Sequence, residues 1–176
     1  MSHPAPEFSR PVQIDTLGHA LRTVGIAADA AEREALARRF GLAAIHRLEA
    51  EIGLTRDGDE VRAAGLLHAA VTQSCVVSGE PVEAVIDAPF ALLFRPESEA
   101  STSDEVELAE SDCDMVFYAG ASIDVGEAAA ETLALSLDPF PRAADAEEAL
   151  RKAGVKGEAE VGPFAALAGL KEKLKR

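Results

Sequence analysis

An Asp-Gly turn followed by a long run of alternating apolar and polar positions constrains this chain more than any other feature. The run is Asp59 to Ser78, DEVRAAGLLHAAVTQSCVVS. Its odd positions are Val61, Ala63, Gly65, Leu67, Ala69, Val71, Cys75 and Val77, interrupted only by Gln73. Its even positions carry Arg62, His68, Thr72, Ser74 and Ser78. Successive side chains of a strand point to opposite faces, so this pattern specifies a strand with one buried and one wet face.

The flanking turns set a register. An Asp57-Gly58 loop predicts a two-residue type I′ hairpin, whose central residues both need positive φ. Arg56 then pairs with Asp59, Leu54 with Val61, Ile52 with Ala63 and Leu48 with Leu67. Beyond Ser78-Gly79-Glu80-Pro81, pairing Val77 with Val82 sets Cys75 opposite Ala84, Val71 opposite Ala88, Ala69 opposite Phe90 and Leu67 opposite Leu92. Pro81 has no N–H to donate, so a four-residue loop is expected there. Both registers match apolar faces, and a one-residue slip would expose them. The expectation is a three-strand meander, 44–56, 59–78 and 82–94, with Leu48, Leu67 and Leu92 side by side.

Other elements fit around it. Phe8 to Asp15 alternates as an opening strand, with Pro11 confining it to an edge or bulge. A helix is expected over 29–40: Asp29 and Glu32 have capping-box spacing, and Gly41 stands at C′. Its wet side carries Asp29/Arg33 and Glu34/Arg38 at i,i+4. Met115 to Tyr118 is short, apolar and β-prone. A second helix over 124–137 has Asp124 as N-cap, Glu127 at N3 and Asp138-Pro139 as its stop. These elements predict an α+β fold: an antiparallel sheet built on the meander, with helices packed on it, over residues 1–141. Residues 142–162 read as a linker or weak helix, and 163–176 as a C-terminal amphipathic basic helix.

Charge limits the partners. The formal net charge is −14. Residues 142–176 hold eight basic and six acidic side chains, so the preceding residues carry about −16. Such a body disfavours broad contact with a phosphate backbone and suits a basic partner. Residues 97–114 contain eight acids and no basic residue, Asp104, Glu105 and Glu107 among them. They read as a mobile loop able to attract a cation. In the tail Phe164, Leu167, Leu170 and Leu174 recur at helical spacing beside Lys171, which suits an apolar docking stripe.

Catalytic signatures are missing. His3, His19, His46 and His68 have no metal-ligand spacing, although His46 and His68 approach one another across the first hairpin in the expected register. There is no GxSxG, P-loop or GxGxxG sequence. A non-enzymatic protein without cofactor, metal or small-molecule substrate is expected. No run of about 18 apolar residues would span a membrane. The opening MSHPAPEFSR lacks a secretory pattern, so a cytoplasmic location is the expectation.

Three segments resemble the YceD-like family, large ribosomal RNA subunit accumulation proteins of bacteria and plastids. They are VTQSCVVSGEPV (71–82), SIDVGEAAAETLALSLDPFP (122–141) and GPFAALAGLK (162–171). The second carries Ile123, Asp124, Val125, Glu131, Leu133, Leu135 and Pro139; the third carries Pro163, Phe164, Ala165, Leu167, Ala168, Leu170 and Lys171. Some relatives have CxxC where this chain has Cys75 and Ser78, so a zinc or redox role does not transfer. The resemblance implies a ribosome-biogenesis factor needed for accumulation or processing of 23S rRNA. Combined with the charge, it points to a basic ribosomal protein or large-subunit precursor as partner. The alternative is direct 23S rRNA binding through Lys171, Lys173, Lys175 and Arg176.

Overall fold

The computed structural model describes residues 6–97 and 114–155. They belong to two compact units, one of residues 1–73 and 83–139, the other of 74–82 and 140–176.

The larger unit is α+β. Its main sheet has five strands: β2 (Arg22–Ala27), β3 (Ala44–Asp57), β4 (Glu60–Ser74), β5 (Pro81–Pro96) and β6 (Asp114–Tyr118), in spatial order β2-β3-β4-β5-β6. β2 and β4 each run antiparallel to β3. β6 lies parallel to β5, with Leu92 opposite Asp114 and Phe94 opposite Val116. A short ladder joins β1 (Pro11–Gln13) to β7 (Ser122–Asp124), the latter leading directly into helix α2 (Val125–Ser136). Helix α1 (Ala30–Phe40) connects β2 to β3. Pro11 opens its strand, where a missing N–H is tolerated.

The period-two pattern chooses the buried face as expected. Leu48, Ala50, Ile52 and Leu54 of β3 and Val61, Ala63, Leu67, Ala69 and Val71 of β4 are all buried. Phe8, Leu36, Ile123, Val125 and Leu133 complete the same core. Burying one such Leu side chain stabilises by roughly 1.5–3 kcal/mol, so these strands are held mainly by that face.

The hairpin register differs from the expectation by two residues. Leu54 faces Ala63, Ile52 faces Gly65 and Leu48 faces Ala69, while Leu67 faces Ala50 rather than Leu48. Asp57 pairs with Glu60, so the turn residues are Gly58 and Asp59. Gly58 has φ 60°, and among the described residues no non-glycine residue has positive φ. A type I′ turn on Asp57-Gly58 would force Asp57 into the left-handed region. Placing glycine first, as in a type II′ turn, leaves only the residue that tolerates positive φ there. A shift of two preserves every face while changing every partner.

The caps follow the sequence closely. Asp29 and Glu32 form a reciprocal capping box, and Gly41 ends α1 at φ 66°. Glu34 pairs with Arg38 at 2.7 Å, whereas Arg33 turns to the Ala28 carbonyl because Asp29 is occupied by the cap. The first strand is shorter than expected: a 3₁₀ turn over Ile14–Thr16 ends it.

In the smaller unit, a turn replaces the expected end of the long strand. The Cys75 N–H donates to the Glu80 carbonyl at 2.8 Å and the Gly79 N–H to the Cys75 carbonyl at 2.9 Å, with Gly79 at φ 76°. Val76 N–H reaches the Pro141 carbonyl at 2.9 Å. Helix α3 (Ala146–Lys152) forms about two turns within the 142–162 segment. Among the described residues no helix is long and apolar enough to cross a membrane.

Candidate functional site

The start of α2 organises one end of the larger unit. Ile123 and Val125 are each 1% exposed and anchor the chain on both sides of Asp124. The Asp124 carboxylate accepts the Gly126 and Glu127 N–H groups at 3.0 and 3.1 Å, satisfying the first turn. It also accepts the Arg10 N–H at 2.8 Å and the Ser9 hydroxyl at 2.5 Å. One carboxylate therefore caps a helix and ties down the N-terminal segment. That segment passes so close that a Cβ on Gly126 would lie 2.5 Å from the Phe8 carbonyl oxygen.

Two arginines lock the neighbouring charges. Arg10 donates to both oxygens of Glu32 at 2.7 and 2.8 Å and lies 4.6 Å over the Phe8 ring. That bidentate bond holds the Glu32 carboxyl below its usual range. Arg39 reaches Glu127 at 2.7 and 3.1 Å and Glu7 at 3.0 Å. Glu127 therefore faces Arg39 instead of closing a capping box.

Beyond these locks, a groove of about 250 Å³ opens where β6 meets α2. Phe94, Val116 and Ala128 contribute apolar surface, Phe117 and Tyr118 the aromatic side, and Glu127 and Glu131 the helix side. Glu131 is exposed and has no ion-pair or hydrogen-bond partner among the described residues. Phe117 is 45% exposed, a large apolar ring left in water at the sheet's last strand. Tyr118 is held by its hydroxyl, which donates to the Asp59 carbonyl at 2.7 Å. Leu135, one helical turn beyond Glu131, is 82% exposed. Aromatic faces beside carboxylates attract guanidinium and ammonium groups, by cation–π contact and charge together.

The solvent face of the sheet carries a larger, shallower depression of about 570 Å³ beside Leu21, Gly53, Ala64 and Leu66. It exists because small residues stand at its centre. Of the polar side chains that line it, His68 Nδ1 lies 2.5 Å from the Asp87 carboxylate; Arg47 and Glu49 pair with each other nearby. His46 lies at a β-bulge between Ile45 and Arg47, with Nε2 2.8 Å from the Thr72 hydroxyl. The register shift thus gives each histidine its own partner. Among the described residues no three His, Cys, Asp or Glu side chains gather as a metal site.

Cys75 is buried and unpaired by disulfide. Its Sγ accepts the Ala143 N–H at 3.3 Å and the Ser78 N–H at 3.5 Å. The Ala143 contact first, then Ser78, lowers the thiol to about 7.

The expected partner-binding residues Phe164, Leu167, Leu170, Lys171, Leu174, Asp104, Glu105 and Glu107 lie outside the described residues. Of the residues that carried the resemblance, Ile123, Val125 and Leu133 are core, and Asp124 is a cap. Glu131 and Leu135 are exposed among the described residues. Phe117 and the groove were not anticipated; the only signal was an aromatic pair in a strand too short to bury both faces.

The family model described as "Large ribosomal RNA subunit accumulation protein YceD" matches residues 63–171. No curated protein and no solved structure matches the chain.

Proposed function

This chain belongs to the YceD family of large ribosomal RNA subunit accumulation proteins, and from that premise we propose that it acts without catalysis, by binding a basic ribosomal protein or a large-subunit assembly intermediate. Accumulation of 23S rRNA then depends on the protein it shields or delivers. The observation that supports this most is the groove beside Phe117 and Glu131, an aromatic and acidic surface on a body of strongly negative charge. A phosphate backbone would meet repulsion there; a lysine- or arginine-rich chain would meet attraction.

In this reading Asp104, Glu105 and Glu107 add long-range attraction, and Phe164, Leu167, Leu170 and Leu174 add an apolar contact, with Lys171 at its edge. Such a helix of 14 residues is marginal alone in water and gains its order on a surface. The action takes place in the cytoplasm, where subunits assemble.

The test is affinity capture on the full-length protein from cells at moderate salt, with and without RNase. Basic ribosomal proteins retained after RNase treatment are the expected result. Capture that vanishes with RNase and requires Lys171, Lys173, Lys175 and Arg176 would instead establish direct rRNA binding.

A further inference from the structure

We propose that the solvent face of β2, β3 and β4 is a docking trough for an amphipathic helix of the basic partner, with Glu51 taking a lysine or arginine of that helix. The proposal rests on the basic-partner reading above and adds a second surface and the form of the segment bound there. Two depressions, of about 570 and 420 Å³, share Glu51 and His68 and so run into one another across these strands. No residue of β5 lines either of them, and the His68–Asp87 pair stands on that side.

The strand register explains why this face is hollow and apolar. An antiparallel sheet with one buried face ordinarily carries polar side chains on the other. Here the outward rows read Thr23–Gly53–Ala64 and Gly25–Glu51–Leu66, so glycine and alanine form much of the floor. Leu66 is 40% exposed. Leu21, 70% exposed, lies over Gly53, where a Cβ would come 2.9 Å from its Cδ1.

Charge sorts the occupant. In the next row Glu49 stands opposite His68 and bonds to Arg47, while His68 bonds to Asp87. Glu51 instead has Gly25 and Leu66 opposite it, and no ion-pair or hydrogen-bond partner among the described residues. A carboxylate set in an apolar floor, on a chain of net charge −14, suits a cation carried on an apolar stripe. Shape sorts its conformation. The N–H and C=O groups of a sheet lie in its plane, so a segment laid across the face finds no backbone partners there. It has to satisfy its own, as a helix does. Leucines three or four residues apart would enter between Leu21 and Leu66, with a basic side chain beside them reaching Glu51. A second copy of this chain is the wrong occupant by charge. It would bring together two chains of −14, with an unmatched Glu51 on each side.

The probe is a fluorescein-labelled sixteen-residue peptide, four repeats of Leu-Ala-Ala-Lys, which as a helix sets its leucines on one stripe with lysines along the edge. Anisotropy measures its affinity for the full chain, and urea midpoints establish that each variant is folded. Glu51→Lys is set against Glu34→Lys, an equal change in net charge on α1, whose Leu36 and Ala37 pack into the core on the opposite face of the sheet. Leu66→Gln tests the apolar wall without altering charge. A second peptide has proline in place of a central alanine, which breaks the helix. The expected result is a monomer that binds the first peptide, and binds the proline peptide at least tenfold more weakly. Affinity should fall at least tenfold with Glu51→Lys, at least threefold with Leu66→Gln and less than twofold with Glu34→Lys.

Equal losses from Glu51→Lys and Glu34→Lys would reduce the effect to bulk charge and overturn the site. Undiminished binding of the proline peptide would overturn the helix. A dimer in light scattering that dissociates on peptide addition would make a second copy the occupant. A Phe164→Ala, Leu167→Ala variant that binds the peptide at least tenfold more tightly than wild type would make the chain's own tail the occupant. Either result overturns a partner helix in the trough.

Repeating the cellular capture with Glu51→Lys separates the two claims. RNase-resistant ribosomal proteins lost with Glu51→Lys and kept with Glu34→Lys are the expected outcome. Equal capture by wild type and Glu51→Lys leaves the general reading standing and overturns the trough. No such capture by wild type removes the reading itself.

Discussion

Arg39 on α1 holds Glu127 on α2 through two hydrogen bonds of 2.7 and 3.1 Å, across 88 residues of sequence. The same guanidinium takes Glu7 at 3.0 Å, so three separate segments meet on one side chain. It is about one-third exposed, and screening reduces what each pair contributes. Arg39→Ala should cost about 1–2 kcal/mol, which for a chain of this size is a fall in Tm of roughly 3–6 °C. Thermal unfolding followed by circular dichroism checks this; a shift below one degree would mean that the bridge adds nothing.

Gly126 and Gly25 make opposite predictions from the same substitution. A Cβ at Gly126 would lie 2.5 Å from the Phe8 carbonyl oxygen and 2.9 Å from the Arg10 nitrogen, both backbone atoms. Neither can move without disturbing the Asp124 cap. Gly126→Ala should therefore cost about 2–3 kcal/mol, as overpacking does. Gly25→Ala meets nothing within 4 Å and should be neutral, or stabilising by a few tenths of a kcal/mol through the unfolded chain. Urea midpoints for the pair measure the difference. Equal midpoints would contradict the close approach of the N-terminal segment.

The hairpin turn offers a test of register. Gly58 sits at φ 60°, whereas Asp57 is a paired strand residue opposite Glu60. Gly58→Ala should cost about 1 kcal/mol, while Asp57→Thr, β-branched and suited to a strand, should stay within about 0.5 kcal/mol. A type I′ turn on Asp57-Gly58 would make both substitutions costly. Equal, large losses would thus restore the register that the sequence alone suggests.

That contrast shows what was legible. Period-two alternation determines faces, and the faces of β3 and β4 follow it: Val61, Ala63, Leu67, Ala69 and Val71 are buried as expected. Alternation is blind to a shift of two, so Leu67 was matched to Leu48 when Ala50 is its partner. The helix caps at Asp29 and Asp124 were legible because a cap is a local bond between residues two or three apart. β2 was missed because Arg22 to Ala27 is short and includes Gly25; its pairing with β3, not its own composition, makes it a strand. The groove was illegible for the same reason in stronger form. Phe117 and Glu131 are brought together only by the parallel placement of β6 beside β5 and the start of α2 after β7.

Cys75 predicts a pH dependence. Its folded pKa is lowered to about 7 by the Ala143 and Ser78 N–H groups, below the roughly 8.5 of a free thiol. A depressed acid contributes stability that is fully present above its unfolded pKa and is lost as pH falls through its folded pKa. Stability should therefore rise between about pH 7 and 8.5 in wild type, and that rise should be absent in Cys75→Ala. Urea midpoints across this range, in a Cys113→Ser background, report it. Parallel curves for the two proteins would show that the thiol is not ionised in the fold.

The most direct test of the account is to ask what touches Phe117 in the cell. A photoreactive benzoylphenylalanine placed at Phe117, irradiated in growing cells and treated with RNase, should yield an adduct with a basic ribosomal protein. The same group at Val85, even more open to water on β5 but away from the groove, should give little or none of it. An adduct that disappears with RNase, or equal adducts from both positions, would contradict a protein-binding groove at the edge of this sheet.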